Sequence, residues 1–286
     1  MRVMYFSWPR VLASAVVLML ALGFAVSESV SYLSALAPAT RLVPIYCVET
    51  AAKRVAISFD AAWGADKTPL LLNILNEHKI QTTFFLVDFW MEKYPEVTKQ
   101  IAAAGHELGN HSATHPHLNS LTAEQVYEEL ETTNARIREL TGQEPLLFRP
   151  PFGEYNNTVL TVVQDLGLFA IQWDVDSLDW QNLTAQEISR RVLGQIKPGS
   201  IVLFHNNAEH TPAALPQIIQ ELHSRGYEIV PISELIYKDN YYIESHSGRQ
   251  RPYPGPRPAL QPSERSPVLS KGLTTNASAD PSLRSG

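Results

Sequence analysis

Two histidines, His111 and His115, lie four residues apart in the chain. Imidazoles at this spacing fall on the same side of a helical turn, where both can bind one divalent metal ion. Two histidines by themselves are a modest signal for a metal. The pair predicts a candidate metal centre that needs support from elsewhere in the sequence.

A single carboxylate, Asp60, follows a run of almost entirely apolar residues at 55–59. Burial of a bare charge is costly, so this side chain must be hydrogen-bonded, paired or functional. Arg149 closes another apolar run and can hold the carboxylate ionised through a charge-assisted hydrogen bond. The pair fits a catalytic base; the alternative is a buried salt bridge that only fixes the fold.

His205 ends a further apolar run, and Asp179 is a candidate partner for it. A carboxylate beside an imidazole raises the pKa of the ring and keeps it protonated as a general acid. A base, an acid and a metal together are the groups needed to hydrolyse an amide or an ester. The residue types therefore predict an enzyme.

Seven short apolar segments are predicted to be strands, with amphipathic helical stretches between most of them. The predicted strands are 55–60, 82–87, 106–111, 146–151, 169–176, 200–205 and 227–232. In a parallel α/β sheet or barrel the carboxyl ends of the strands lie on one face, so polar residues there converge. Their spread over so many strands favours a barrel, because an open sheet concentrates its site at one switch point.

Composition and charge limit the possible functions. The chain has 286 residues, of which 44% are hydrophobic, enough for one large core or two small ones. A net charge of -6 and the absence of a basic cluster argue against nucleic acid as a partner. Cys47, the only cysteine, precedes the first predicted strand, which excludes disulfides and a thiol nucleophile within the strands. No protein partner can be inferred.

The chain divides into four predicted segments. Arg2 and Arg10 both precede an uncharged apolar run at 11–26. Residues 1–27 therefore fit a cleaved signal peptide or an uncleaved membrane anchor. Either predicts export, with the remainder in the cell wall or on the outer side of the cytoplasmic membrane. The other predicted segments are a linker (28–50), a single catalytic domain (51–238) and a disordered Pro/Ser-rich tail (239–286).

Four motifs occur in a fixed order between the predicted strands. They are His-Ser-Ala-Thr-His at 111–115, Arg-Pro-Pro-Phe-Gly at 149–153, Asp-Ser-Leu-Asp-Trp at 176–180 and Leu-Phe-His at 203–205. The series resembles the polysaccharide deacetylase family (carbohydrate esterase family 4, NodB-homology domain), whose members remove N-acetyl groups from chitin-like and peptidoglycan glycans. The resemblance covers about residues 55–237. It implies an α/β fold, a distorted (β/α) barrel of about seven parallel strands with a shallow groove.

The resemblance also implies a role for each matching position. The implied roles are Asp60 as base, Arg149 as the residue that positions it, His205 as acid, Asp179 as the residue that tunes the acid, His111 and His115 as metal ligands, and Trp180, Phe152 and Leu203 as substrate-binding residues. The family places a backbone N–H at the Phe152 position in its oxyanion hole, and a phenylalanine keeps that donor.

The segment around Asp60 corresponds to a further family motif, the first in chain order, and departs from the family pattern. The family carries two adjacent aspartates there, of which the second is the third metal ligand, whereas Asp60 is followed by Ala61. Two histidines plus water neutralise less charge, so the resemblance implies a divalent ion, zinc or similar, that binds weakly. The start with Ala-Trp-Gly at 62–64 resembles a subgroup related to sporulation-associated deacetylases.

The sequence therefore predicts a glycan N-deacetylase that acts on a cell-wall or chitin-like polysaccharide. Two alternatives stay open: a hydrolase of another non-peptide C–N bond on the same scaffold, and a non-catalytic glycan-binding protein that lost its metal through Ala61. An open groove with surface aromatics such as Trp63 and Trp180 favours a glycan chain, whereas a closed pocket favours a small amide.

Overall fold

The structure, a computed structural model, describes residues 41–255 together with Met19. Every element given below belongs to the compact unit that begins at Leu42. The strands are β1 (Cys47–Val48), β2 (Arg54–Ala61), β3 (Thr83–Leu86), β4 (Glu107–Asn110), β5 (Leu147–Phe148), β6 (Phe169–Ala170), β7 (Val175–Asp176), β8 (Ile201–His205), β9 (Glu228–Ile229), β10 (Tyr241–Ile243) and β11 (Arg249–Pro252). The helices are α1 (Thr68–Glu77), α2 (Asp88–Lys93), α3 (Pro95–Ala103), α4 (Ala123–Thr141), α5 (Asn157–Asp165), α6 (Ala185–Gln195), α7 (Thr211–Ser224) and α8 (Ile232–Leu235).

The main sheet is parallel throughout and has the strand order β6-β5-β4-β3-β2-β8-β7, with β9 also paired to β2. The single predicted strand at 169–176 is in fact two strands, β6 and β7, at opposite edges of this sheet. Only four residues, 171–174, join them. The sheet must therefore curl until its two edges nearly meet, which confirms the predicted distorted barrel of about seven strands.

Strand β2 lies at the centre of the sheet and contacts both layers of the core. Its alternate residues Val55, Ile57 and Phe59 pack in a cluster with the inner faces of α1 and α7. Ala56, between them, belongs to a second cluster, which joins residues of five strands to residues of α8 and the connecting segments. Successive side chains of a strand point to opposite faces, so Asp60 shares the barrel-facing side of Ala56.

A second sheet corrects the predicted linker and tail. Strand β1 lies inside the predicted linker 28–50, and β10 and β11 lie inside the predicted disordered tail 239–286. The three strands pair in the order β1-β11-β10. Gln250 in β11 is fully buried, and its side chain accepts from the N–H and donates to the C=O of Tyr237. Backbone pairing and this amide anchor a segment whose composition alone is too polar for a core.

The remaining predictions about the chain ends lie outside the described residues. These are the signal or anchor at 1–27, of which only Met19 is described, and the part of the tail after residue 255. Within the described part of the chain, none of the helices combines the length and hydropathy needed to cross a membrane.

Candidate active site

A cavity of about 820 Å³ opens at the carboxyl ends of β2, β4 and β8. Eight of the nine residues singled out from the sequence line it: Asp60, His111, His115, Phe152, Asp179, Trp180, Leu203 and His205. The ninth, Arg149, has no exposed surface and stands behind the cavity wall. Strand polarity therefore brings together residues that are up to 145 positions apart, from position 60 to position 205.

Asp60 is an almost fully buried carboxylate held by one guanidinium. Arg149 donates from Nη1 to Asp60 Oδ1 at 2.7 Å, and from Nη2 to the carbonyl of Gln172 at 3.2 Å. The guanidinium also packs over the ring of Phe85 at 4.1 Å. Burial by itself raises the pKa of Asp60, but the charge and hydrogen bond of Arg149, together with the nearby imidazoles of His111 and His205, outweigh it and hold that pKa below its usual value. Asp60 is thus an ionised carboxylate able to accept a proton.

The imidazole of His205 is held by a second buried carboxylate, that of Asp179. Its Nδ1 donates to Asp179 Oδ1 at 2.7 Å, and its backbone N–H donates to Asp179 Oδ2 at 2.9 Å. The hydroxyl of Thr211 donates to the same Oδ2 at 2.6 Å. Burial lowers the pKa of His205, but the hydrogen bond and charge of Asp179 raise it above its usual value. The ring is therefore suited to donate a proton from Nε2.

Asp60 and His205 come from neighbouring strands at the same level of the sheet. Asp60 in β2 and His205 in β8 are direct register partners in a parallel ladder. Partner residues on adjacent strands point to the same face of the sheet, and both line the cavity. A substrate bound there lies between a proton acceptor and a proton donor.

The segment 111–115 is not the helical turn that the histidine spacing suggested. Ser112 and His115 have left-handed backbone conformations, with φ of 69° and 55°, and the segment is a loop after β4. The loop nevertheless brings the two imidazole rings to a centroid distance of 5.0 Å. His111 Nδ1 donates to the carbonyl of Arg149 at 2.7 Å, which leaves Nε2 directed to Asp60 Oδ2 at 3.6 Å.

The two histidines fit a divalent ion as nitrogen ligands. Burial lowers the pKa of both rings, that of His115 to about 4, so both are neutral imidazoles with a lone pair to share. His115 Nδ1 is buried with no hydrogen-bond partner beyond its own residue. A buried polar atom of this kind calls for a partner that the protein chain does not provide.

A third protein ligand is missing from this arrangement. Among residues 41–255, no group of three or more His, Cys, Asp or Glu side chains is arranged to hold a metal ion. Ala61 is fully buried and belongs to the cluster that packs against the helices, on the side of β2 opposite to Asp60. Within the described residues, the two imidazole nitrogens are therefore the groups that fit a metal ion.

Three aromatic side chains stand at the cavity with most of their surface exposed. Trp63, Phe152 and Trp180 are 64%, 55% and 58% exposed. Trp63 and Phe152 both contact the ring of His115 edge-on, at centroid distances of 4.8 and 4.6 Å. Phe152 has a φ of 58°, a conformation that costs free energy in any residue but glycine and that clusters at binding sites. Exposed aromatic faces of this kind suit the apolar faces of sugar rings.

Two supporting residues were not found from the sequence. Thr211 donates to Asp179, and Gln172 both receives a bond from Arg149 and donates to the carbonyl of Gly153 at 2.8 Å. Thr211 opens α7, which is a common place for threonine, and Gln172 lies within a single predicted strand. Neither position carries a local signal, because its role depends on contacts with distant segments.

Comparisons with known proteins agree with this geometry. The family model for polysaccharide deacetylase matches residues 48–171. The chain is 33% identical to the uncharacterized protein YlxY of Bacillus subtilis over 68% of this chain and 60% of that protein. It is 31% identical to a chitooligosaccharide deacetylase of Bradyrhizobium over 68% of this chain and 99% of that protein.

Other relatives are much longer than the matched region. The peptidoglycan-N-acetylglucosamine deacetylase PgdA of Listeria monocytogenes is 35% identical over 64% of this chain but only 39% of its own length. The chain thus spans 39% of the length of PgdA and 60% of the length of YlxY, which is less than two thirds of each.

Solved structures include an enzyme-like fold without activity. BA3943 of Bacillus anthracis, described as a CE4 family pseudoenzyme, superposes with a TM-score of 0.66 and 35% identity over 68% of this chain and 69% of that chain. A mutant of the same pseudoenzyme with restored enzymatic activity gives a TM-score of 0.66 and 36% identity over 68% of this chain and 71% of that chain.

The buried ion pair gives a test of stability. We expect Arg149→Met to lower the free energy of unfolding by about 3–5 kcal/mol, because Asp60 is left buried without its counter-charge. Adding Asp60→Asn should recover part of this loss, since the uncompensated charge is then gone. Urea denaturation of the single and double variants measures both effects.

The matched control is Arg138→Met, which removes a half-exposed ion pair with Glu131 and Glu144. We expect it to cost no more than about 1 kcal/mol. An Arg149→Met variant as stable as this control would show that the buried pair does not hold the barrel.

Proposed function

Because the chain belongs to the polysaccharide deacetylase family, we propose that it removes N-acetyl groups from a cell-wall or chitin-like glycan. The observation that carries the proposal is the placement of Asp60 opposite His205, each with its own buried partner, in one open cavity. An ionised carboxylate facing a protonated imidazole is the acid–base pair that amide hydrolysis needs.

In the proposed reaction each residue has one task. Asp60 takes a proton from the water that attacks the acetyl carbon. His205, kept protonated by Asp179, gives a proton to the departing sugar amine, so that acetate and the free amine leave. The backbone N–H of Phe152 donates to the oxyanion, as the family pattern implies. His111 and His115 would hold a divalent ion, zinc or similar, which would supply Lewis-acid polarisation of the acetyl carbonyl.

The shape and rim of the cavity support a glycan chain rather than a small amide. Trp63, Phe152 and Trp180 expose more than half of their surface each, which provides flat apolar faces outside the reacting centre. We assign sugar contacts to Trp180 and Phe152, and to Leu203 on the cavity floor. In a hydrolase of a small amide or imide, aromatic faces turned to solvent would not contact the substrate.

The proposed location follows from the substrate. Peptidoglycan deacetylases are among the relatives, and such a polymer lies outside the cytoplasmic membrane. We propose that the segment 1–27 exports the domain, either as a cleaved signal peptide or as an anchor that holds it against the membrane. The folded unit then acts on the cell wall from the outer side.

A second candidate function is glycan binding without catalysis. It is favoured by Ala61, which leaves the metal site with two protein ligands, and by the likeness to a pseudoenzyme of the same family. The two candidates share the groove and its aromatic rim. They differ in whether acetate is released.

The first catalytic test removes the base and the acid separately. We expect Asp60→Asn and His205→Ala each to reduce acetate release from N-acetylglucosamine oligomers by about 10²–10⁴-fold, because each loses one proton transfer. Asp66→Asn and His223→Ala, at exposed positions outside the cavity lining, are controls that should keep the parent rate. Acetate release that survives both active-site variants would contradict the assigned roles. Glycan binding without any acetate release from the parent chain would establish the second candidate.

A second test concerns the pH dependence. The pKa of His205 is raised, so the protonated ring persists to higher pH than a free imidazole and is lost as the pH rises through that raised value. Asp179→Asn removes the charge that raises it, so we expect the alkaline limb of kcat/KM to move to lower pH with a smaller loss of rate than His205→Ala. Rate profiles of the parent and variant across pH 5–10 would check this. An unmoved alkaline limb would show that His205 is not the acid.

A third test concerns the metal. We expect the natural chain to bind zinc weakly, and Ala61→Asp to tighten binding by supplying an anionic ligand, with about 10-fold or greater gain. Because Ala61 packs in an apolar cluster, the unfolding free energy of the variant must be measured alongside. Calorimetric titration of both proteins with zinc decides the matter. Tight binding by the natural chain and no gain in the variant would show that another residue supplies the third ligand.

A further inference from the structure

The loop that carries His115 is held by a carboxylate on a distant helix. Glu129 in α4 accepts two backbone hydrogen bonds on Oε2, from the N–H of Ala113 at 2.9 Å and of Thr114 at 2.8 Å. Its other oxygen, Oε1, accepts from the hydroxyl of Thr114 at 2.7 Å. One side chain thus satisfies three donors of a five-residue loop, and hydrogen bonds to a charged acceptor are the strong ones.

Other contacts fix the remaining polar groups of the same loop. The N–H of Ser112 donates to Asn110 Oδ1 at 2.8 Å, and the N–H of His115 donates to Ser112 Oγ at 3.0 Å. The carbonyls of Ser112 and Ala113 accept from the N–H groups of Asp88 and Phe89 at the start of α2, at 3.2 and 3.3 Å. The N–H groups of Ala113 and Thr114 are the ones that donate to Glu129.

The loop needs this support because its backbone is strained. Ser112 and His115 both adopt positive φ, which costs free energy in residues with a side chain and persists only when the surroundings fix it. This conformation turns the His115 ring to 5.0 Å from His111 and places it against Trp63 and Phe152. Without its hydrogen bonds the loop can relax, and the two imidazoles lose their common direction.

Helix α4 is a rigid base for such a support. A capping box of Thr122 and Gln125 fixes its first turn, and Val126 and Leu130 are fully buried on its inner face. Its backbone also contacts the strand before the loop, because Asn110 Nδ2 donates to the carbonyl of Leu130 at 2.7 Å. The carboxylate of Glu129 therefore projects from an element that is itself anchored to β4.

We propose that Glu129 is a positioning residue, which sets the direction of the His115 imidazole toward the metal position. The inference rests on the proposed function, since it concerns the same site. Glu129 does not line the cavity, and both of its oxygens are directed to the loop. It therefore acts through His115 and does not touch the substrate.

The geometry distinguishes the shape of Glu129 from its charge. A glutamine at this position can accept both N–H groups on its oxygen and donate its amide N–H to the hydroxyl of Thr114, so Glu129→Gln preserves all three bonds. Glu129→Ala removes them. Glu129→Asp keeps the charge but shortens the side chain by one methylene, so it cannot reach the loop in the same way. Glu128→Ala, at the exposed neighbouring position, is the matched control.

Two readouts test the proposal on the full chain. In metal-free protein, amide hydrogen exchange at Ala113 and Thr114 and the NMR signals of the His115 ring report the loop directly. Zinc titration, in the natural chain and with Ala61→Asp, reports the metal position. We expect Glu129→Ala and Glu129→Asp to speed amide exchange and weaken zinc binding, each by about 10-fold. Glu129→Gln and Glu128→Ala should stay within about threefold of the parent.

Each outcome decides the matter. Unchanged exchange and unchanged His115 signals in Glu129→Ala would overturn the proposal, whatever the zinc affinity. If Glu129→Ala fails to fold, Glu129→Asp against Glu129→Gln makes the same comparison. A glutamine variant that is impaired while the aspartate variant stays near the parent would show that the charge matters rather than the geometry, which also overturns it. If neither the natural chain nor the Ala61→Asp variant binds zinc, the metal part of the proposed function is wrong. Amide exchange and the His115 ring signals then still decide the role of Glu129.

Discussion

The buried ion pair between Asp60 and Arg149 is the constraint on which the rest of the site depends. Burial alone would favour a neutral carboxyl group, and the guanidinium, together with the nearby imidazoles, reverses this and holds the pKa of Asp60 below its usual value. The same arginine receives the His111 ring on its carbonyl and donates to Gln172. Gln172 belongs to the four residues that cross between the two sheet edges. Arg149 thus links Asp60, His111 and barrel closure, through its side chain and its backbone carbonyl.

Strand alternation in β2 separates two neighbouring positions with very different consequences. Asp60 faces the barrel interior and the cavity, whereas Ala61 packs among apolar residues against the helices. A carboxylate at position 61 must therefore bend the strand end toward the cavity or lie buried among apolar groups. An alanine avoids both the strain and the desolvation of a second acid.

Local signals in the sequence predicted the strands and the presence of Asp60 and His205 in one cavity, because each residue ends an apolar run at the same end of a parallel sheet. The sequence did not predict the order in β10 and β11, where backbone pairing and buried Gln250 replace an apolar core. The histidine spacing suggested a helical turn, whereas a strained loop brings the two imidazole rings together. Thr211 and Glu129 were missed because their hydrogen bonds reach across 32 and about 15 residues.

The acid and base carry supports that are independent of any metal. His205 depends on Asp179 and Thr211, and Asp60 depends on Arg149, whereas His115 depends on a loop held by Glu129. Loss of a metal ligand therefore leaves the proton-transfer geometry and the fold in place. The pseudoenzyme and its mutant with restored activity accordingly give the same TM-score of 0.66 against this chain.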